Sequence, residues 1–174
     1  TTEKSYESAL TAVGSTLDIT KSVLAGDVDN GLVLVRPPGH HSLSDRAMGF
    51  CIFNNVAIAA QFALEHPSIN KVAIVDFDVH HGNGTQGIFY RRGDVLTVSI
   101  HADPARFYPF FWGHAQERGE GDGLGANLNL PLPRGTDDTG FHKALDKALE
   151  DAMTHALTMG VTQTHHMGTW EDLE

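Results

Sequence analysis

Three short apolar runs constrain this chain more than anything else in it. Residues 32–35 read Leu-Val-Leu-Val, residues 72–75 Val-Ala-Ile-Val, and residues 95–100 Val-Leu-Thr-Val-Ser-Ile. Each is too short for a helix and too continuous for a strand with one wet face. Such runs are expected in a parallel sheet buried on both faces. Helical patterns separate them. Tyr6, Leu10, Val13, Leu17 and Leu24 recur at helical spacing before Gly26. Asn54 or Asn55 is placed to cap a helix running to about Glu65, and a short helix is expected from about Thr85 to Tyr90. Residues 128–130 offer a fourth strand. Asp138 or Thr139 opens a last helix with Phe141, Leu145, Ala148, Leu149, Ala152 and Ala156 on one face. Strand and helix in alternation give an α/β fold, a parallel sheet flanked by helices.

In such sheets ligands bind just past the carboxyl ends of the strands. The histidines are concentrated there: His40 and His41 follow the first run, residues 76–81 the second, and His101 the third. The chain of 174 residues carries 11 histidines, and neutral imidazole is both a common metal ligand and a proton carrier. Its formal net charge of -10 disfavours a nucleic-acid partner. That charge suits a cationic small molecule or a lysine-bearing tail, and equally serves solubility alone. Hydrophobic residues make up 41% and charged residues 20%, which fits a folded domain of ordinary size. The single cysteine, Cys51, excludes an internal disulfide and fits a reducing compartment. With no apolar run of membrane-spanning length and no leader pattern at its start, a cytoplasmic protein without a membrane partner is expected.

Three segments carry chemistry. In Asp76-Phe77-Asp78-Val79-His80-His81-Gly82-Asn83-Gly84, residues two apart share a side if the strand continues, so Asp76, Asp78 and His80 face together. An aspartate oxygen and a histidine nitrogen so spaced can hold one divalent metal. A polar strand end whose acids cap the next helix is written with the same letters. In Arg36-Pro37-Pro38-Gly39-His40-His41, prolines and glycine fix the backbone ahead of two adjacent histidines. The pair can flank a reacting water or simply sit at the surface. Asp76 and Asn83 are available as unlike partners, which would give the two imidazoles unlike pKa values. The third segment, 101–113, has five aromatics in the six residues 107–112. They form either a packed loop or the wall of a narrow channel, with Phe50 as a facing wall. Cys51 reads as a small buried residue.

Taken together, Arg36-Pro37-Pro38-Gly39-His40-His41, Gly49-Phe50-Cys51-x-Phe53-Asn54-Asn55 and Asp76-x-Asp78-Val79-His80-His81-Gly82-Asn83-Gly84-Thr85-Gln86 resemble the zinc-dependent histone deacetylase superfamily in order and spacing. The aromatic loop with Gly113-His114-Ala115-Gln116-Glu117-Arg118-Gly119-Glu120-Gly121 is most similar to its bacterial acetylpolyamine amidohydrolases. The resemblance spans roughly residues 6–160. It implies the arginase/deacetylase fold, in a single deacetylase-like domain over residues 1–174 from which residues 161–174 depart. It implies Zn2+ on Asp78 and His80, with His40 and His41 as the catalytic pair and Asp76 and Asn83 as their respective partners. It implies a structural K+ near Asp76, Asp78, His80, Ser99 and Ile100. Phe50 and Tyr108 match the aromatic pair lining the substrate channel.

The implied substrate is a small cationic acylated amine or an acetyl-lysine. The family's third zinc ligand, an aspartate in a Gly-x-Asp segment, and its oxyanion tyrosine, in a Gly-Gly-Tyr segment, have no counterpart in these 174 residues. His165, His166 and Asp172 are the available substitutes. The fold is therefore expected to be incomplete, a piece of a longer chain. The alternative to an active amidohydrolase is a fragment that at most binds metal. An open sheet edge then predicts self-association or poor stability.

Overall fold

The computed structural model of the chain describes residues 2–158; the segment 161–174, with His165, His166 and Asp172, lies outside them, as does the side chain of Ala156. In chain order the elements are α1 (Ser5–Ala25), α2 (Asn55–Leu64), β1 (Val72–Asp76), α3 (Asn83–Phe89), β2 (Val95–Ala102), β3 (Asn127–Leu132) and α4 (Asp138–Thr158). The strands form one parallel sheet in the order β1-β2-β3. Its register pairs Asp76 with Ser99, and Thr97 and Ser99 with Asn127 and Asn129.

The two faces of this sheet are chemically different, and the period-2 geometry of a strand is the reason. Even-numbered residues of β2, Leu96, Val98 and Ile100, pack with Ala148 and Ala152 of α4 and with Leu128, Leu130 and Leu132 of β3. Fully burying Val98 and Ile100 is worth roughly 1.5–3 kcal/mol each. On the other face, Val95 joins Ile74, Phe89, Ala57 and Ala60 beneath α2 and α3. Further along that face the residues turn polar: Thr97, Ser99 and His101 on β2, and Asn127 and Asn129 on β3, are all buried. Apolar packing thus anchors the amino-terminal half of this face, and hydrogen bonds fill the carboxyl-terminal half, where the loops gather.

Several local expectations hold for the reasons given. Gly26 ends α1 in the left-handed conformation at φ 75°. Asn54 caps α2 by accepting from the Ala57 N–H at 3.1 Å. Four others need correction. The run 32–35 joins no strand among the described residues, and Leu32 and Leu34 are 77% and 86% exposed. Its letters are those of a buried strand, but a strand forms only where a neighbour supplies the ladder. The second run is buried only at Ile74, because β1 is an edge of the described sheet. Helix α1 packs on α2 through the small residues Ala9 and Ala12, which permit close approach, and leaves Tyr6 and Leu10 exposed. Helix α3 begins at Asn83 rather than Thr85, because its first N–H groups find a partner in another loop, as follows.

Candidate active site

The loop from Arg36 to Asn54 and the loop after β1 lock together through the amino end of α3. The N–H groups of Gly84 and Thr85 both donate to the His40 carbonyl, at 2.9 and 3.1 Å. A tertiary contact therefore satisfies donors that a side-chain cap would otherwise take. The approach is close enough to demand glycine: a Cβ at Gly84 would run into the Ser42 carbonyl, and one at Gly82 into Asp76 Oδ2. Asn54 adds a further tie, donating to the Ser42 carbonyl and to Thr85 Oγ1, both at 3.1 Å.

This packing sets the tandem histidines side by side, ring centroids 4.0 Å apart, each with its own partner. His40 Nδ1 donates to Asp76 Oδ2 at 2.8 Å, and His41 Nδ1 donates to Asn83 Oδ1 at 2.7 Å. The Asn83 amide nitrogen faces Met48 Sδ, which leaves its oxygen for His41. A carboxylate and an amide act differently on their imidazoles. Burial opposes protonation of His40, but the Asp76 hydrogen bond and the charges of Asp76 and Asp78 outweigh it and raise its pKa above the ordinary 6.5. Burial and then the neighbouring His40 charge lower the pKa of His41, against the smaller opposing effect of Asn83. One histidine is thus held toward the cation and the other toward the neutral base, with Nε2 the nitrogen left free on each.

Asp78 and His80 stand next to this pair. The His80 N–H donates to Asp78 Oδ1 at 2.7 Å, and His80 Nδ1 lies 3.0 Å from the same oxygen. Burial pushes the Asp78 carboxyl up, but the His80 N–H and the His40 charge outweigh it and hold the group below its ordinary range. The two side chains hydrogen-bond to each other, and they are an oxygen and a nitrogen donor of the kind that can ligate one divalent ion. Among the described residues no third His, Cys, Asp or Glu joins them. Asp76 and Ser99, two of the expected K+ neighbours, are register partners across β1 and β2. Ile100 is wholly buried and belongs to the apolar core.

The aromatic loop reaches this site with two of its rings. Tyr108 stands edge-on to His41, centroids 4.9 Å apart, and Phe107 stacks on His80 at 5.2 Å. Phe111 is 84% exposed. Phe50, the other expected wall, is 94% exposed and has a positive φ of 64°, while Gly49 beside it packs against the His41 ring. Cys51 is buried and accepts the His41 N–H at 3.4 Å; burial pushes its thiol pKa up.

Beneath the pair lies a buried polar cluster that motif reading did not single out. Gln86 Oε1 accepts from His81 Nε2, Asn127 Nδ2 and Asn129 Nδ2 at 2.8–3.0 Å. Gln86 Nε2 donates to Glu117 Oε2 at 2.7 Å, and the Gly113 N–H donates to the same oxygen at 2.9 Å. His101 donates through Nε2 to the Gly113 carbonyl and accepts from Ser99 at Nδ1. The signal was available as Thr97-x-Ser99-x-His101 and Asn127-x-Asn129, polar residues at the strand period in strands otherwise apolar.

The histone deacetylase domain model matches residues 1–157. The chain belongs to the histone deacetylase family. Within the family it is 46% identical, over 153 residues, to a histone deacetylase-like amidohydrolase of Pseudomonas aeruginosa, covering 88% of this chain and 39% of that protein. It is 47% identical over 147 residues to an acetylpolyamine amidohydrolase of Burkholderia pseudomallei, covering 84% and 40% respectively. The crystal structure of acetylpolyamine aminohydrolase from Burkholderia pseudomallei superposes with a TM-score of 0.84 at 45% identity, over 88% of this chain and 44% of that one. The deacetylase fold is thereby shown, and the chain spans about two fifths of the length of the relatives it matches.

Proposed function

We propose that this chain, as a single deacetylase-like domain, carries the acid–base and metal-holding part of a hydrolase site that removes acetyl groups from acetylated amines. The observation that carries the reading is the unlike partnering of His40 and His41 directly beside Asp78 and His80. His41, neutral and with Nε2 free, takes a proton from the attacking water. The water oxygen forms the new bond to the acetyl carbon, the carbon–nitrogen bond breaks, and the leaving nitrogen receives the proton from the imidazolium. Acetate and a free amine result. His40, held toward the cation by Asp76, stabilises the negative charge that develops on the reacting centre. Asp78 and His80 would hold the zinc ion, which when bound supplies Lewis acidity at the amide carbonyl and acidifies water. Asp76, Asp78, His80, Ser99 and Ile100 would surround a structural K+. Tyr108, with Phe50 and Phe107, would guide an extended chain to the metal.

Relatives include both acetylpolyamine amidohydrolases and histone deacetylases, and the net charge of -10 suits a cationic amine, which tips the reading toward acetylpolyamines. The test is acetate release from a panel of acetylpolyamines and acetyl-lysine peptides, with a chelator control. The expected result is chelator-sensitive release, greatest with the polyamines. In any form of the protein that turns over, His41→Ala should lower turnover by about a hundredfold or more. A second reading has its own observation. With two metal ligands among the described residues, the chain holds metal weakly and hydrolyses nothing. Weak zinc binding without acetate release would select it. No helix among the described residues is long and apolar enough to cross a membrane.

A further inference from the structure

The aromatic loop needs something to hold Tyr108 against His41, because the loop spans residues 103–126 with only a short 3-10 turn at Gly121–Gly123 as regular structure. Apolar burial holds it only in part: Pro104 and Pro109 are buried, while Phe107, Phe110 and Phe111 are exposed. Polar ties do the rest: His101 Nε2 donates to the Gly113 carbonyl, Asn129 Nδ2 donates to the His114 carbonyl, and one carboxylate bridges the loop to α3. Glu117 Oε2 accepts from the Gly113 N–H at 2.9 Å within the loop and from Gln86 Nε2 at 2.7 Å on α3. The Glu117 carbonyl accepts from Asn127 Nδ2 at 2.7 Å, which ties the same residue to β3. Gln86 in turn holds His81, the residue after His80, and lies one turn from Asn83, the partner of His41. The Glu117 side chain therefore links the loop carrying Tyr108 directly to α3, which carries Asn83 and, through Gln86, holds His81.

We infer that Glu117 is a positioning residue: its Oε2, by accepting from Gly113 and Gln86 together, fixes the aromatic loop so that Tyr108 and Phe107 stand over His41 and His80. Charge-assisted hydrogen bonds of this kind are shorter and stronger than neutral ones. The role deepens the proposed function, since a loop so fixed would shape the channel through which an acylated amine reaches the metal. The acceptor atom matters more than the charge. In Glu117→Gln the amide oxygen can occupy the place of Oε2 and keep both donors, whereas Glu117→Ala leaves them without an acceptor.

The test reads geometry and needs neither metal nor substrate, so it is independent of whether the chain hydrolyses anything. Tyr108 edge-on to His41 and Phe107 stacked on His80 impose ring-current shifts on the two imidazoles. These are read by NMR on the histidine-labelled chain under conditions where each variant is folded. Glu117→Ala should lose those shifts while the amide signals of β1, β2 and α4 stay in place, and Glu117→Gln should restore them. A purely stabilising role would lower the unfolding midpoint and leave the shifts of the folded form unchanged. Retained shifts in Glu117→Ala, or shifts lost equally in Glu117→Gln, would overturn the proposal. Where Glu117→Ala does not fold, hydrogen exchange of the unmodified chain decides. The Gly113 amide should exchange slowly, against rapid exchange of neighbouring amides in the loop; rapid exchange at Gly113 itself would overturn it.

Discussion

The carboxyl-terminal end of the sheet and the segment ahead of the tandem histidines invert the usual distribution of polarity. At the sheet end, His41, His81, Asn83, Gln86, His101, Asn127 and Asn129 are all at most 6% exposed. Ahead of it, Leu32 and Leu34 are 77% and 86% exposed. Buried polar groups are tolerated where each finds a partner. Here nearly all do, the exception among side chains being His81 Nδ1. Exposed leucines in a run that pairs with no strand among the described residues have no such internal remedy. The polar end is self-sufficient within this chain, and the apolar segment is not. Burial in this molecule follows the availability of partners more than the polarity of the letters.

Acid should break the polar end first. Burial, and then the charge of His101, push His81 down to about 3, and burial likewise lowers His101 and His41. The unfolded chain takes up protons at these three imidazoles as pH falls below 6.5, while the folded chain does not. Their contribution is complete above 6.5 and is lost as pH falls toward 3. The raised pKa of His40 works the other way, its contribution complete below 6.5 and lost as pH rises through the folded value. His81 alone should cost on the order of 5 kcal/mol by the acid end of this window. Urea midpoints measured from pH 7 to 4 should fall, and His81→Phe should flatten the fall. A midpoint that does not change with pH would show that the imidazoles are not buried neutral.

A smaller effect is expected from the tie between the loops. Asn54→Ala removes the α2 cap and two hydrogen bonds that join the histidine loop to α3. It should cost about 2–4 kcal/mol in chemical denaturation. A loss below 1 kcal/mol would mean that the two loops are held by something else. The smallest effect on stability belongs to the exposed segment. Leu32→Asp and Leu34→Asp should each change stability by about 0.5 kcal/mol or less. If the open edge and these leucines drive self-association, as the sequence predicts, both variants should shift sedimentation toward monomer. Unchanged association would remove this segment from the account.

What the sequence made legible follows the same division. The strands at 72–76 and 95–102 could be read because strands of a parallel sheet are continuous apolar runs, even where, as in β1, the described sheet leaves them at its edge, and α2 because its capping asparagine is local. The run at 32–35 misled because strand formation depends on a neighbour, and letters alone do not name one. The early start of α3 was invisible because its donors are satisfied by a carbonyl more than forty residues away. The residue types and loops of the candidate site were legible from placement at the strand ends, but which partner goes with which histidine came only from the resemblance. His40 and Asp76 are 36 residues apart and His41 and Asn83 are 42 apart, so no spacing rule pairs them. Gln86 and Glu117 lie in segments that carry the resemblance, but their pairing across 31 residues does not follow from either segment; only the polar alternation on β2 and β3 hints at a buried network there.

In the proposed function His40 and His41 handle protons while Asp78 and His80 hold the metal. Zinc stoichiometry and affinity, measured on the unmodified chain and on Asp78→Ala, His80→Ala and His41→Ala, test it most directly. The account predicts that site-bound zinc disappears in the first two variants and is nearly unchanged in the third. Zinc retained in both Asp78→Ala and His80→Ala, or lost in His41→Ala, would contradict it.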